Sequence, residues 1–325
     1  MDRRCFVLVL GASWIAASPA SFAQQRKMPR VGLLASETLS DETPRIDALR
    51  AGLREYGYIE GNNIAIEIRT ADGRYERLPE LAAELVRLKV DLIVAYGTKA
   101  LSALIVATKT IPIVDPVMGD PVSMGVSGSL ARPEGNVTGS SQFSPESSAK
   151  RLEFLKEAAP RIRRAALLVN PANASSQRQL QEVRATAKAL DLELLVLETN
   201  NAKEIQETML AMAQRRIEAV VVSSDTLFGA SASAILELAG KQRIPVAGRQ
   251  ELGVAGALIG YGVDTAALYR RAAYFVDRLL NGAKPADLPI ERATKLGLVI
   301  NLKTAKTLGL TIPQSLLLRA DEVIQ

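Results

Sequence analysis

Along the chain, short apolar runs alternate with longer segments in which apolar residues recur every three or four positions. The first kind of run forms strands and the second forms helices, so the pattern predicts successive βαβ units and parallel sheets. Residues 31–35 are the first strand. A helix follows, with Thr43 as N-cap, Pro44 at the first helical position, Ile46, Leu49, Leu53 and Tyr56 on one face, and Gly57 at its end. Ile64, Ile66 and Ile68 alternate with polar residues, which predicts a peripheral strand with one wet face. The next helix buries Leu78, Leu81, Leu85 and Leu88. Residues 91–96 and 111–114 are continuously apolar, as strands covered on both faces are, so they belong at the centre of a sheet. The helix between them begins near Thr98.

Residues 135–142 are polar and Gly-rich and mark a lobe boundary, because the same grammar restarts beyond them. Ser144 and Pro145 open a helix to Ala158, residues 165–170 form a strand, and Ser176 with Gln179 makes a capping box for a helix ending at Ala189. Strands at 192–197, 219–223, 245–247 and 257–261 follow, separated by helices near 204–215 and 230–242. Asp264 caps a helix carrying Leu268, Phe275, Val276 and Leu279, and a last strand at 296–301 leads into a short tail. Two parallel α/β lobes place two sets of strand-end loops opposite each other. Ligands of such sheets bind beyond the carboxyl ends of the strands, so the natural site is the cleft between the lobes.

Composition removes much of enzymology. Among 325 residues there is no His and one Cys, Cys5, which excludes imidazole bases, Cys–His nucleophiles and zinc or copper sites built on His or thiolate. Forty basic against 35 acidic side chains is too mild an excess for a nucleic-acid surface. The short clusters Arg161–Arg163–Arg164, Arg215–Arg216 and Arg270–Arg271 lack interleaved aromatics and read as solvated helix ends. No nucleic acid and no cofactor are expected.

Residues 1–23 read as a signal peptide. Arg3 and Arg4 form a positive start, residues 6–17 are mostly apolar, and Ser21, Phe22 and Ala23 offer a cleavage site after Ala23. The Arg pair admits the twin-arginine route as well as the general one. Cys5 precedes the apolar run, so it is not placed for acylation. The expected exported chain of 302 residues has 38 basic and 34 acidic side chains and neither Cys nor Trp. No other stretch approaches the roughly 20 apolar residues of a membrane span.

Several segments carry a family likeness: GLREYGYIEG at 52–61, GRYERLPELA at 73–82, GDPV at 119–122, LARPEGNVTG at 130–139, NPAN at 170–173 and INLKTAKTLGLTIP at 300–313. On these the chain resembles the extracytoplasmic substrate-binding proteins of ABC importers, in the type I group related to tryptophan- and tyrosine-binding members. The resemblance implies the type I periplasmic binding protein fold: two doubly wound parallel-sheet lobes joined by a three-stranded hinge. Residues 29–141 plus 262–295 would form one lobe, and 142–261 plus 296–325 the other. It further implies a monomer that captures a small ligand, an amino acid or related carboxylate, by hinge closure and hands it to a membrane permease.

A free amino acid offers a carboxylate and an ammonium group. The N-terminus of a helix receives a carboxylate through unpaired N–H groups, and Gly97 with Thr98 lies between a strand and a helix; Thr98 serves as an N-cap, a ligand donor or both. Ser36, after the first strand, and the turn of Met118, Gly119 and Asp120, after the fourth, occupy equivalent rims. In the other lobe Asn170, Asn173, Ser175 and Ser176 follow a strand and present amides and hydroxyls, or else form only a turn and cap. Asp225, past the strand at 219–223, is the candidate ammonium partner or a helix cap. Phe228 and Tyr261 supply an apolar wall or belong to the core.

The sequence departs from the family at DTLFG, 225–229, and AGRQELG, 247–253, which are less aromatic than in many relatives and leave the side-chain pocket open. Arg249 there selects a second acidic group or, by default, is solvated. Three rivals share parts of this reading. A sensor-linked binding protein shares every residue. An exported enzyme lacks a nucleophile motif. A repressor lacks a helix-turn-helix segment before Val31.

Overall fold

The computed structural model describes residues 28–142, 145–173 and 175–325, so the expected signal peptide (1–23) and the expected Ser144 cap lie outside the described residues. In chain order the elements begin with β1 (Arg30–Ala35), α1 (Leu39–Glu55), β2 (Ala65–Thr70), α2 (Leu78–Arg87), β3 (Leu92–Tyr96), α3 (Thr98–Ala107), β4 (Ile113–Met118) and β5 (Val137–Ser141). There follow α4 (Pro145–Ala158), β6 (Arg164–Val169), α5 (Ser176–Ala189), β7 (Glu193–Glu198), α6 (Ala202–Leu210), β8 (Ala219–Val222), α7 (Thr226–Ala230) and α8 (Ala232–Lys241). The remainder is β9 (Val246–Gly248), α9 (Gln250–Val254), β10 (Ile259–Val263), α10 (Thr265–Leu280), β11 (Glu291–Arg292), β12 (Leu296–Asn301), α11 (Leu302–Leu308), α12 (Gln314–Leu317) and β13 (Glu322–Ile324).

Two sheets result, one ordered β11-β5-β4-β3-β1-β2 and the other β13-β12-β10-β9-β8-β6-β7. Every pairing is parallel except β10 with β12. Alternate strand residues serve opposite faces, as the two-residue period requires. In the first sheet Leu33 and Val94 pack with Leu49 and Leu53 of α1 and Phe275 of α10. Leu34 and Ile93 pack on the other face with Leu85 of α2 and Leu101 of α3. The second sheet repeats this, with Leu167 against Leu155 of α4 and Val183 of α5, and Leu168 against Ile205 of α6 and Ile235 of α8. As the alternating isoleucines predict, β2 is an edge strand of intermediate burial, while β3 is buried throughout.

The chain passes between the sheets three times: after β5, after β10 and after β11. The second passage matters most for the site, because α10 leaves the sheet that contains β10 and packs with α1 on the first sheet.

Some predicted details are corrected. Helix α1 begins at Leu39 rather than beside Pro44: Thr38 is its N-cap, its hydroxyl accepting from Asp41 N at 3.3 Å. Asp41 and Glu42 favour the positive end of the helix, and this offsets the one backbone bond that Pro44 removes inside it. The capping box does not form. Ser176 Oγ instead donates to Asn170 O at 2.5 Å, and Gln179 Oε1 accepts from Ser148 Oγ and Ser224 N, each at 3.1 Å. The polar stretch 135–142 contains β5, which is fully buried. Two of its three hydroxyls find backbone acceptors, Thr138 Oγ1 donating to Leu288 O and Ser141 Oγ to Gly119 O, both at 2.8 Å, while Ser140 Oγ is buried without a partner among the described residues. The tail contains a further strand, β13, paired with β12.

Candidate functional site

Loops at the carboxyl ends of both sets of strands converge on one polar cavity of about 40 Å³. Gly97 and Thr98 reach it from the end of β3, Val117 and Gly119 from β4, Gln142 from β5, Asn173 and Ser175 from β6. Ser224, Asp225 and Thr226 arrive from β8, Arg249 from β9 and Thr265 from β10. Helices add Arg45, Gln179 and Tyr269. The volume holds only a few water molecules.

Asp225 is the best-fixed charge. It caps α7, with Oδ1 accepting from Leu227 N at 2.9 Å, while Oδ2 accepts from Asn173 Nδ2 at 2.7 Å and Asn170 Nδ2 at 3.3 Å. A carboxylate has about four lone-pair directions, so these three donors leave it able to accept one more. Its neighbour Ser224 is held from behind by Gln179 and by the buried Arg151, which donates to Ser224 Oγ at 3.1 Å. Across the cavity Gly97 caps α3 at φ 98°, a conformation open to glycine, and with Thr98 brings the N-terminus of the helix to the cavity wall. The rims meet where Asp120 N donates to Ser175 Oγ at 3.2 Å, beside an ion pair of Arg178 with Asp120 at 3.4 Å.

Two guanidiniums complete the charge pattern. Arg45 pairs with Glu42 at 2.9 Å; burial works against its charge, but Glu42 outweighs it and holds the arginine above its ordinary pKa. Arg249 stands 3.8 Å from Glu251, with its side chain only 11% exposed. Burial opposes ionisation of Glu251, yet the coulombic field of Arg249 keeps that carboxyl below the usual range. Glu37, nearby, moves the other way: burial raises it although Tyr75 donates to it at 2.8 Å. Tyr269 stacks on Tyr96 with ring centres 4.5 Å apart, and burial keeps both phenols protonated.

Of the residues singled out from sequence, Gly97, Thr98, Gly119, Asn173, Ser175 and Asp225 line this cavity. The others lie elsewhere. Ser36 sits behind Gly97 and donates to Tyr96 O at 3.4 Å, and Met118 is in the core of the first sheet. Asp120 turns to Ser123 and Arg178, Asn170 supports Asp225 from outside the lining, and Ser176 is spent on Asn170 O. Phe228 is in the core of the second sheet, and Tyr261 packs edge-on against Phe154 at 5.1 Å. Arg249 is not solvated. Sequence reasoning passed over Arg45, Gln179 and Tyr269, which stand on helices and carry no strand-end signal. Ser224 and Thr226 were accessible to the rule that found Asp225 between them.

Two α/β lobes closing strand-end loops on a polar cavity define a ligand-capturing protein with the type I periplasmic binding protein fold. The family described as ABC transporter substrate binding protein matches residues 42–324, and the chain belongs to that family. It is therefore a substrate-binding protein and not an enzyme. A tyrosine-binding protein of Clostridioides difficile is 28% identical over 274 residues, covering 83% of this chain and 79% of that one. An ABC domain from Streptococcus pneumonia in complex with L-Trp matches with TM-score 0.85 and 26% identity, over 92% of this chain and all of that one (100%). A conserved domain protein from Vibrio cholerae gives TM-score 0.85 at 27% identity, covering 91% and 100%. Among the described residues no helix is long and apolar enough to cross a membrane, and no group of three or more Asp, Glu, His or Cys side chains is gathered to hold a metal.

Proposed function

We propose that this protein works outside the cytoplasm as the solute-binding component of an ABC importer, closing two lobes on a free amino acid or related carboxylate. The observation that carries the reading is the pairing, in one cavity, of a fixed carboxylate with a helix N-terminus. Asp225 receives the ligand's ammonium group; the first turn of α3, with Thr98 and Ser175, receives its carboxylate. The tyrosine-binding relative and the L-Trp complex support an amino acid as the ligand class. The moving units are 29–141 plus 262–295 and 142–261 plus 296–325, with β10 carrying its crossing to Val263. Residues 1–23 direct export and are removed after Ala23, and the released monomer presents its closed lobes to a membrane permease.

Closure follows from differential contact: a ligand touching both rims favours the state in which both are near. The cavity is too small for an amino acid to enter by diffusion, so entry needs the rims parted. A side chain at Gly119 would begin 2.8 Å from Ser175 Oγ, so Gly119→Val should hold the rims apart. Expected are a melting temperature near that of the parent, at least tenfold weaker binding, and no ligand-induced compaction in small-angle scattering. Compaction equal to the parent's would refute rim contact as the closing step.

A thermal-shift screen of residues 24–325 against amino acids, small carboxylates, purines and sugars tests the ligand class. An amino acid at a hundredfold excess over its Kd should stabilise the fold by about 2.7 kcal/mol. Asp225→Ala should weaken its binding by roughly 1.5–3 kcal/mol, or 10- to 150-fold, as expected for a lost charged hydrogen bond. A shift confined to sugars or purines overturns the assignment.

A further inference from the structure

A second cavity of about 190 Å³ adjoins the first, and the two share three walls: Arg45, Asp225 and Arg249. Its floor, from Phe228 to Leu252, belongs to the second sheet's side of the molecule, whereas Arg45 comes from α1 on the other side. The guanidiniums approach each other there. Arg249 Nη2 lies 3.0 Å, and Arg45 Nη2 3.6 Å, from where a side chain on Gly229 would begin.

Both arginines are incompletely used. Arg45 spends Nη1 on Glu42, and its side chain is 17% exposed. Among the described residues Arg249 makes no side-chain hydrogen bond, and its Nε is only loosely paired with Glu251 at 3.8 Å. A guanidinium carries five donors that cannot be neutralised at physiological pH, and leaving them desolvated and unpaired is costly. Asp225, the third shared wall, is already engaged by Asn170, Asn173 and Leu227 and is directed to the ammonium group. Glu251 is the other acid in the lining, so with Asp225 engaged two guanidiniums there stand against one resident carboxylate, beside the cavity proposed for the amino-acid end of a ligand.

Resting on the amino-acid reading above, we propose that the ligand carries a second anionic group, an acidic side chain, which Arg45 and Arg249 grip from opposite lobes in the second cavity. The planar forks suit a carboxylate, whose two oxygens each accept from a guanidinium. The same contact links the lobes, so it adds to closure as well as to selectivity.

The test is isothermal titration of the purified protein with two matched pairs, L-glutamate with L-glutamine and L-aspartate with L-asparagine, together with L-tryptophan and L-tyrosine. We expect the acid of at least one pair to bind at least tenfold more tightly than its amide and more tightly than either aromatic amino acid. Arg249→Gln should shrink that ratio to less than about threefold. Arg45→Gln, measured the same way, serves where the first variant does not fold. If neutral amino acids bind as tightly as acidic ones, the second anionic group is refuted while amino-acid capture stands. If acids are preferred but neither arginine variant lowers the ratio, the grip by these residues is refuted. If no amino acid binds at all, the capture reading falls and this inference falls with it.

Discussion

Replacing Asp115 with asparagine should stabilise the protein by up to about 4 kcal/mol at pH 8 and hardly at all near pH 4. Asp115 is buried in β4, and burial pushes its carboxyl up to about 7 although Val117 N donates to it at 2.9 Å. Between its ordinary value of 3.8 and about 7 the folded protein keeps a proton that the unfolded chain has released. Stability is greatest below that window, falls as pH rises through it, and levels off above pH 7, at about 1.4 kcal/mol per unit. Asparagine retains the acceptor for Val117 and carries no charge to desolvate. Thermal unfolding of both proteins at pH 4.5 and pH 8 is the check; equal differences at the two values would show that the carboxyl is not titrating. The acid sits where the β4 pairing with β5 shifts register, between Asp115 and Met118. There Val117 N donates to it, in the segment that brings Val117 and Gly119 to the cavity.

Arg151→Leu should act in the opposite direction, on the lobe built around the second sheet. Arg151 is buried and, among the described residues, forms no ion pair with a carboxylate. It donates to Tyr261 O at 2.8 Å, Val222 O at 3.2 Å, Ser224 Oγ at 3.1 Å and Ser148 Oγ at 3.4 Å. Burial, followed by the nearby charge of Arg249, lowers its pKa to about 9, so it remains a cation at neutral pH. One side chain thus ties α4 to the end of β8 and the middle of β10, and to Ser224 at the site. Leucine fills part of the volume but leaves two carbonyls and two hydroxyls without this donor. At roughly 1–3 kcal/mol for each group left unsatisfied, the loss should be at least about 3 kcal/mol. That corresponds to a fall in melting temperature of roughly 6–12 °C. Ligand affinity should fall as well, because Ser224 loses its support. A melting temperature within about 2 °C of the parent would show that water replaces the guanidinium freely.

These two residues mark where sequence reading stops. Asp115 looks like any polar residue beside a proline, and Arg151 looks like a solvated cation on a helix of mixed character. Their burial is a property of what packs over them. Arg45 and Tyr269 are similar cases: nothing in α1 or α10 alone says that these helices lie together against the first sheet. Arg249 fell on the wrong side of a sound default, since most arginines are solvated.

The alternation of apolar runs and helical periods determined the α/β class, the outer place of β2 and the central place of β3, because burial on one face or two is written directly into side-chain polarity. Strand-end position determined Gly97, Gly119, Asn173, Ser175 and Asp225, since parallel sheets direct their carboxyl ends to one side. Tertiary structure alone decided that β5, polar in composition, is buried, because Thr138 and Ser141 donate to backbone carbonyls of other segments. It alone brought Arg45 across the cleft to Arg249, and with it the second cavity. A side chain's periodicity is local, whereas the partner that gives it chemical meaning is set by how distant segments pack.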